Sequence, residues 1–159
     1  MSNILLDAAI DYASRGLAVF PLKPRDKAPI TAHGVHEATT NFDQINKWWK
    51  RYPNANIGIA CGKISGGLLV VDVDRKQNGV DGLDSLNAWE RENGELPETV
   101  RSITGTGGSH LLYRIDGAGK NRVNLLDGVD IRSDGGYIVA PPSVHPLEPP
   151  VREIKKEQV

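Results

Sequence analysis

Residues 68–74 read Leu-Leu-Val-Val-Asp-Val-Asp, an apolar run of buried-strand character that ends in two carboxylates two positions apart. Because successive side chains of a strand point to opposite faces, Asp72 and Asp74 share one face while Val71 and Val73 pack on the other. Two neighbouring carboxylates repel unless a cation lies between them, and their oxygens suit Mg²⁺ or Mn²⁺. The segment therefore predicts a divalent metal site at a strand end. The alternative is that both aspartates simply meet water where the strand leaves the core.

Two later segments show the same alternation of apolar and ionisable side chains. His110 and Arg114 share one face of a predicted strand, and Asp130 and Arg132 share one face of another. If these strands neighbour the first one in a sheet, three carboxylates, a histidine and two arginines converge on one site. That set suits phosphoryl or nucleotidyl transfer, with carboxylates for two metal ions and basic groups for phosphate oxygens. The alternative is three solvated sheet faces.

The remaining pattern predicts a mixed α and β fold. Apolar spacing predicts helices over residues 4–15, from about residue 42 to Tyr52, and around Leu83 to Trp89. The aromatic residues of the second helix are interpreted as core. Short apolar runs predict strands, and Ser133-Asp134-Gly135-Gly136 between residues 128–132 and 137–140 predicts a hairpin.

Length and composition indicate one globular domain. The chain has 159 residues, 39% of them hydrophobic and 25% charged, and we expect a domain over residues 1–150 followed by a polar tail over 151–159. No apolar run approaches a membrane span, no secretory signal is recognised, and the single cysteine, Cys61, favours a reducing, cytoplasmic setting. The net charge of −1 predicts that any contact with nucleic acid is local and weak.

Other uses of these residues fail on spacing. A haloacid-dehalogenase-type phosphatase needs Thr or Val where this chain has Lys76, and an EF-hand needs Gly where it has Gln77. The glycines of residues 105–108 lack the Gly-Lys-Ser/Thr ending of a Walker loop. His33 and His36 have no further Cys or His beside them, which disfavours a zinc site.

Taken together, these segments resemble the bifunctional DNA primase/polymerase (Prim-Pol) domain of the archaeo-eukaryotic primase superfamily, which is common in phage and plasmid replication proteins. The resemblance covers most of the chain. The segments that carry it occur in the family's order: Lys27-Ala28-Pro29, Gly34, Ala38-Thr39-Thr40, Trp48-Trp49, Asn56-Ile57-Gly58-Ile59, Ser65-Gly66-Gly67, Val71-Asp72-Val73-Asp74, Thr104-Gly105-Thr106-Gly107-Gly108-Ser109-His110, Val129-Asp130-Ile131-Arg132 and Gly135-Gly136-Tyr137-Ile138-Val139-Ala140-Pro141-Pro142-Ser143.

The resemblance implies roles for particular residues. It assigns two Mg²⁺ or Mn²⁺ ions to the three carboxylates, Asp72, Asp74 and Asp130. It assigns His110 to the phosphates of an incoming nucleotide, and Arg132 and Lys27 to positions near that nucleotide. The turn before His110, with Gly107, Gly108 and Ser109, is expected to help to bind the triphosphate. The implied fold is a small N-terminal α/β module packed on a mixed sheet related to the RNA-recognition motif, with the site in the cleft between them.

The activity implied is a metal-dependent nucleotidyltransferase that makes or extends a primer on a single-stranded DNA template in phage, prophage or plasmid replication. Nucleoside triphosphates and a template with its primer are the expected ligands. A helicase or helical priming module acting in trans is the expected partner, and no membrane is involved. Two alternatives remain: a non-catalytic module that binds nucleotide or single strands and acts through partners, and a metal-dependent nuclease that uses the same aspartates.

Overall fold

The computed structural model describes residues 2–75, 81–117, 119–144 and 152–154, and it has the predicted α+β class. The helices in these ranges are α1 (Ile4–Ser14), α2 (Phe42–Arg51) and α3 (Gly82–Asn93), and Gly34–Glu37 and Lys63–Ser65 form short 3₁₀ turns. The strands are β1 (Val19–Leu22), β2 (Asn56–Ala60), β3 (Leu68–Val73), β4 (Arg101–Ile103), β5 (Ser109–Arg114), β6 (Arg122–Leu126), β7 (Val129–Arg132), β8 (Tyr137–Ala140) and β9 (Arg152–Ile154).

Each helix begins at a side chain that caps it. Asn3 accepts hydrogen bonds from the backbone N–H groups of the first turn of α1, Asn41 does so for α2 and Asp81 for α3. Gly16 and Gly94 follow α1 and α3 with positive φ angles, a conformation that commonly ends a helix. Local sequence therefore determines where these helices begin and end.

The strands form two antiparallel sheets. The smaller sheet has the order β1-β2-β8, and the larger has the order β6-β7-β3-β5-β4-β9. Every pair of named strands in the described part of the chain is antiparallel. β3 thus lies inside the larger sheet, between β5 and β7, which explains why its sequence is almost continuously apolar.

Alternate residues of β3 enter two different cores. Leu68 and Val70 join the main core, which contains side chains of α1, α2 and all three strands of the smaller sheet. Trp49 of α2 is 1% exposed in this core, so its interpretation as core is confirmed, whereas Phe42 at the start of α2 is 47% exposed and its interpretation as core is wrong. On the other face, Val71 and Val73 pack with α3 in a second core. The division of β3 into two faces, predicted from its period of two, is confirmed.

The predicted hairpin around residues 133–136 is wrong. β7 belongs to the larger sheet and β8 to the smaller one, so this segment carries the chain between the sheets. The apolar residues of the two strands face different cores, which prevents them from pairing: Val129 packs with α3, whereas Ile138 packs in the main core. A hairpin does join β6 to β7 through Asp127-Gly128, a two-residue connection that the sequence analysis leaves unassigned.

Part of the expected polar tail is paired. Within residues 151–159, Arg152–Ile154 forms β9 and pairs with β4 at the edge of the larger sheet. The domain boundary at residue 150 stays a prediction. Among the helices of the described residues, none combines the length and the apolar character needed to cross a membrane.

A close contact between β1 and β2 fixes the smaller sheet. Phe20 and Gly58 are directly opposite each other, and a Cβ atom on Gly58 would lie 2.7 Å from the Phe20 ring. The ring also meets Tyr137 of β8 edge to face, with centroids 5.1 Å apart. Phe20 therefore covers the glycine and supports the strand that follows the crossing between the sheets.

We predict that Gly58→Ala lowers the free energy of unfolding by about 1–3 kcal/mol, because the new methyl group must displace a buried ring. Urea unfolding followed by tryptophan fluorescence measures the loss. The double variant Phe20→Leu with Gly58→Ala should lose less than the sum of the two single changes, because the shorter side chain makes room for the methyl group. Strictly additive losses would contradict this explanation.

Candidate active site

A cavity of about 400 Å³ lies between the two sheets and gathers most of the predicted site residues. Asp72, Asp74, His110 and Arg132 line it from the larger sheet, and Lys27, from the loop after β1, lines it from the other side. The implied cleft between a small module and a larger sheet is therefore present. The size of this cavity falls within the range usual for small-molecule sites.

Strand register brings the charged residues together. Asp72 is directly opposite His110 on β5 and directly opposite Asp130 on β7, so all three side chains project from one face. His110 Nε2 lies 3.3 Å from Asp72 Oδ1, and the two side chains are only 9% and 12% exposed. The prediction that these three strands are neighbours is confirmed.

Arg132 supplies the positive charge between the two carboxylates. Its Nη2 atom lies 3.4 Å from Asp72 Oδ2 and 3.2 Å from Asp130 Oδ2. The other oxygen of Asp130 accepts a hydrogen bond of 2.7 Å from the backbone N–H of Asn124, a β6 residue with a φ angle of 53°. Asp130 is thus held by β6 and by Arg132, and it is absent from the lining of the cavity.

These neighbours keep Asp72 ionised. Burial by itself would raise the pKa of the Asp72 carboxyl, but the hydrogen bond and charge of His110 and the charge and hydrogen bond of Arg132 outweigh that effect. The pKa of Asp72 therefore lies below its ordinary value. A carboxyl group of this kind is a poor proton acceptor and a good partner for a cation.

Asp74 is positioned by the backbone just beyond β3. Its N–H group donates to the Gly128 carbonyl, and its own carbonyl accepts from the N–H of Gly82, each at 2.8 Å. The first contact ties Asp74 to the β6–β7 turn and the second ties it to the start of α3. The placement of this carboxylate at the cavity thus depends on the start of α3, a few residues later in the chain, and on the distant β6–β7 turn.

The donor set suits a hard cation, but the three aspartates are not gathered around one point. Carboxylate oxygens are the ligands that Mg²⁺ and Mn²⁺ favour. Within the described ranges, no three His, Cys, Asp or Glu side chains are close enough together to hold a metal ion. Arg132 lies between Asp72 and Asp130, and of the three predicted metal ligands Asp72 and Asp74 line the cavity whereas Asp130 does not.

The glycine-rich turn before His110 reaches the cavity through its first half. Thr104, Gly105 and Thr106 line the cavity, whereas Gly107, Gly108 and Ser109 do not. Gly108 packs so closely on β3 that a Cβ atom would lie 2.4 Å from the Val73 carbonyl oxygen. Ser109 is opposite Val73 and, by alternation, points to the other face from His110. The expected nucleotide-binding role of Gly107, Gly108 and Ser109 stays a prediction.

The wall that carries Lys27 is held by residues to which the sequence analysis assigns no role. The Tyr137 hydroxyl donates to the Lys27 carbonyl at 2.8 Å, and the side chain of Asn56 donates to the Asp26 carbonyl at 2.9 Å. Asn56 is 2% exposed, and it also exchanges two hydrogen bonds with the backbone of Val144. No local pattern marks Asn56, because its partners are distant in sequence.

Several other polar residues lie outside the site. Arg114, which the strand pattern places on the same face as His110, is opposite Leu68 and does not line this cavity. His33 and His36 are exposed, and His145 lies outside the described residues. Burial raises the pKa of the Cys61 thiol to about 12, as expected for an inert core residue.

We predict that Asp72→Asn destabilises the protein near pH 6, because His110 and Arg132 lose a charged partner. The pKa of the Asp72 carboxyl is lowered in the folded state. Its contribution to the free energy of unfolding is therefore present above the unfolded-state pKa of about 3.9, and it is lost as the pH falls through the folded-state pKa. The difference in unfolding free energy between wild type and variant should therefore shrink by pH 3, as measured by urea titration. Asp116→Asn, at an exposed position, is the control. A difference in unfolding free energy that does not depend on pH would contradict the conclusion that Asp72 is ionised and stabilised by its neighbours.

Comparison with known proteins identifies a family whose match covers most of the chain. The family model described as bifunctional DNA primase/polymerase, N-terminal (Prim-Pol), matches residues 9–158 and so includes every site residue discussed above. No curated protein matches the chain significantly. The family match supports a function of the DNA primase/polymerase type. The chain therefore belongs to the bifunctional DNA primase/polymerase N-terminal (Prim-Pol) family.

Proposed function

We propose that this protein is a metal-dependent nucleotidyltransferase that makes or extends a primer on a single-stranded DNA template in phage, prophage or plasmid replication. One observation carries the proposal: in a chain of this family, the two aspartates at the end of β3 line a cavity that Arg132 and Lys27 also line. Negative groups for cations and positive groups for phosphates thus share one cavity of nucleotide size.

Asp72 and Asp74 would hold Mg²⁺ or Mn²⁺, and Asp130 is the third carboxylate that the family resemblance implies. Bound ions supply positive charge that stabilises the attacking and leaving oxygens of a phosphoryl group. The low pKa of Asp72 favours this role, because the group stays ionised without taking up a proton. Arg132 has five N–H donors, and its contacts with Asp72 and Asp130 both use Nη2, so further donors remain for phosphate oxygens.

The chemistry proposed is in-line attack of a primer 3′-hydroxyl on the α-phosphate of a nucleoside triphosphate. A bond forms between the 3′-oxygen and the α-phosphorus, the bond from that phosphorus to the bridging oxygen breaks, pyrophosphate leaves, and the hydroxyl proton passes to solvent. His110, Lys27 and Arg132 would orient the triphosphate, because imidazole, ammonium and guanidinium groups donate to phosphate oxygens. A helicase or helical priming module would act in trans.

Two other functions use the same residues. A non-catalytic module would bind nucleotide or single strands and act through partners, and a nuclease would direct the same aspartates at water and a phosphodiester. A single assay separates the three candidates: a labelled primer on a template, incubated with nucleoside triphosphates and Mg²⁺ or Mn²⁺. Lengthening supports the proposal, shortening supports the nuclease, and binding without change of length supports the module.

We predict that Asp72→Asn, Asp74→Asn and Asp130→Asn each lower incorporation at least about a hundredfold, because each removes a charge that offsets a cation in the transition state. Primer extension measures the loss, and circular dichroism checks that the fold is kept. Asp84→Asn, at an exposed position on α3, is the matched control and should retain full activity. Near-normal activity of Asp130→Asn would restrict the metal-binding carboxylates to Asp72 and Asp74.

We predict that His110→Ala raises the KM for nucleotide by more than it changes the affinity for metal, because the proposed partner of His110 is phosphate. Titration with manganese at fixed nucleotide, and with nucleotide at fixed manganese, separates the two effects. His36→Ala, at an exposed position distant in sequence, serves as the control. If the variant instead loses metal affinity at unchanged nucleotide affinity, His110 belongs among the metal ligands.

A further inference from the structure

A second cavity, of about 260 Å³, lies further along the same strands. On β5, His110 lines the first cavity, whereas Leu112 and Arg114 line the second. On β8, Ile138 lines both cavities. At the usual rise of a strand, His110 and Arg114 are about 13 Å apart. The second cavity therefore continues the cleft of the candidate active site past the position of His110.

A buried hydroxyl group lines this second cavity. Ser102 of β4 is 3% exposed, and among the described residues its Oγ atom has no hydrogen-bond partner. It is directly opposite His110, whose Nδ1 atom also lacks a partner within the described ranges. A buried polar atom that is left unpaired costs free energy, so a ligand that hydrogen-bonds Ser102 removes this cost.

The remaining lining combines apolar walls with two arginines. Leu17, Leu68 and Leu112 are among the apolar residues. Arg15 follows α1, where it pairs with Asp11 and lies over the Tyr12 ring, and Arg114 ends β5 as an exposed residue. Arginine is well suited to phosphate because its planar group presents several donors. The cavity thus offers an apolar slot, one buried hydrogen-bonding group and two cationic groups.

We infer that the second cavity binds one nucleotide unit of a DNA strand, with the base between the apolar walls and Ser102, and the phosphate on Arg114 and Arg15. The volume restricts the occupant to about one base, because cofactor-sized ligands occupy larger pockets. Continuity with the first cavity favours a strand that also reaches the active site over a free nucleotide. This inference rests on the proposed function, since it assumes that the cleft holds nucleic acid.

The test measures binding by the full chain, in EDTA so that catalysis plays no part. The probes are a thymidine octanucleotide and thymidine 5′-monophosphate, and the readouts are fluorescence anisotropy and the amide NMR shifts of Leu112 and Arg114. We expect the octanucleotide to shift both amides, and Arg114→Ala and Ser102→Ala to weaken its binding about three- to tenfold. Replacing each base in turn by an abasic residue should identify one position with a dominant effect.

Salt dependence separates a phosphate contact from a general effect of charge. Arg114→Ala should reduce the slope of log affinity against log salt by about 0.7, the amount expected for one phosphate of a single strand. Arg101→Ala is the matched control, because Arg101 is an exposed arginine on the neighbouring strand, opposite Leu111 and therefore on the other face of the sheet. It should change octanucleotide affinity less than twofold.

The outcomes are distinguishable. Equal losses for Arg101→Ala and Arg114→Ala, or no shift of the two amides, overturn the inference. If thymidine 5′-monophosphate shifts the two amides equally at similar concentrations, the inference that a DNA strand occupies the cavity is overturned. The cavity is then assigned to a free nucleotide. If the octanucleotide occupies the cavity but primer extension is absent, the proposed function fails and the inference stands. If extension occurs and the cavity stays empty, only the inference fails.

Discussion

Asp72 is a carboxylate within the larger sheet, 12% exposed, and such a group is stable in ionised form only when hydrogen-bond donors or positive charge lie beside it. β5 supplies His110 on one side, and β7 supplies Arg132 on the other. This requirement fixes much of the molecule, because the partners reach Asp72 only if β3 pairs with both strands in the observed register. A shift of one residue on either side would turn the partner to the opposite face, among the apolar side chains that pack on α3.

The two walls of the cavity are held by different kinds of interaction. On the larger sheet, ion pairs around Asp72 set the geometry of the wall. The balance of charges in that wall therefore changes when a cation binds or a proton is added. On the smaller sheet, hydrogen bonds from Tyr137 and Asn56 to backbone carbonyls hold the loop that carries Lys27, and these bonds do not depend on charge. A ligand that brings both phosphate and metal would therefore rearrange one wall more than the other.

Sequence predicts the faces of the strands well and their partners poorly. The period of two correctly separates Asp72 from Val71 and His110 from Leu111, because side-chain direction is a local property of an extended chain. The hairpin predicted at residues 133–136 fails because turn residues indicate a change of direction but do not identify the next partner strand. Asn56 escapes notice for a related reason, since its contacts with Asp26 and Val144 exist only after the whole domain has formed. Predicting the ion pairs of Arg132 likewise requires the positions of the side chains. Sequence therefore suggests which residues form the site but not how they are arranged.

The crossing that replaces the predicted hairpin has a mechanical consequence. Asp134, within this crossing, accepts a hydrogen bond from the backbone of Lys63, and Gly62 packs directly against it. Two connections between the sheets, one after β2 and one after β7, are thus fastened to each other, and the Cys61 N–H group donates to the Gly136 carbonyl beside this contact. Covalent chain and tight packing limit the separation of the sheets there, so a rotation of one sheet relative to the other would pivot near this contact. The displacement produced by a given rotation increases with distance from that contact.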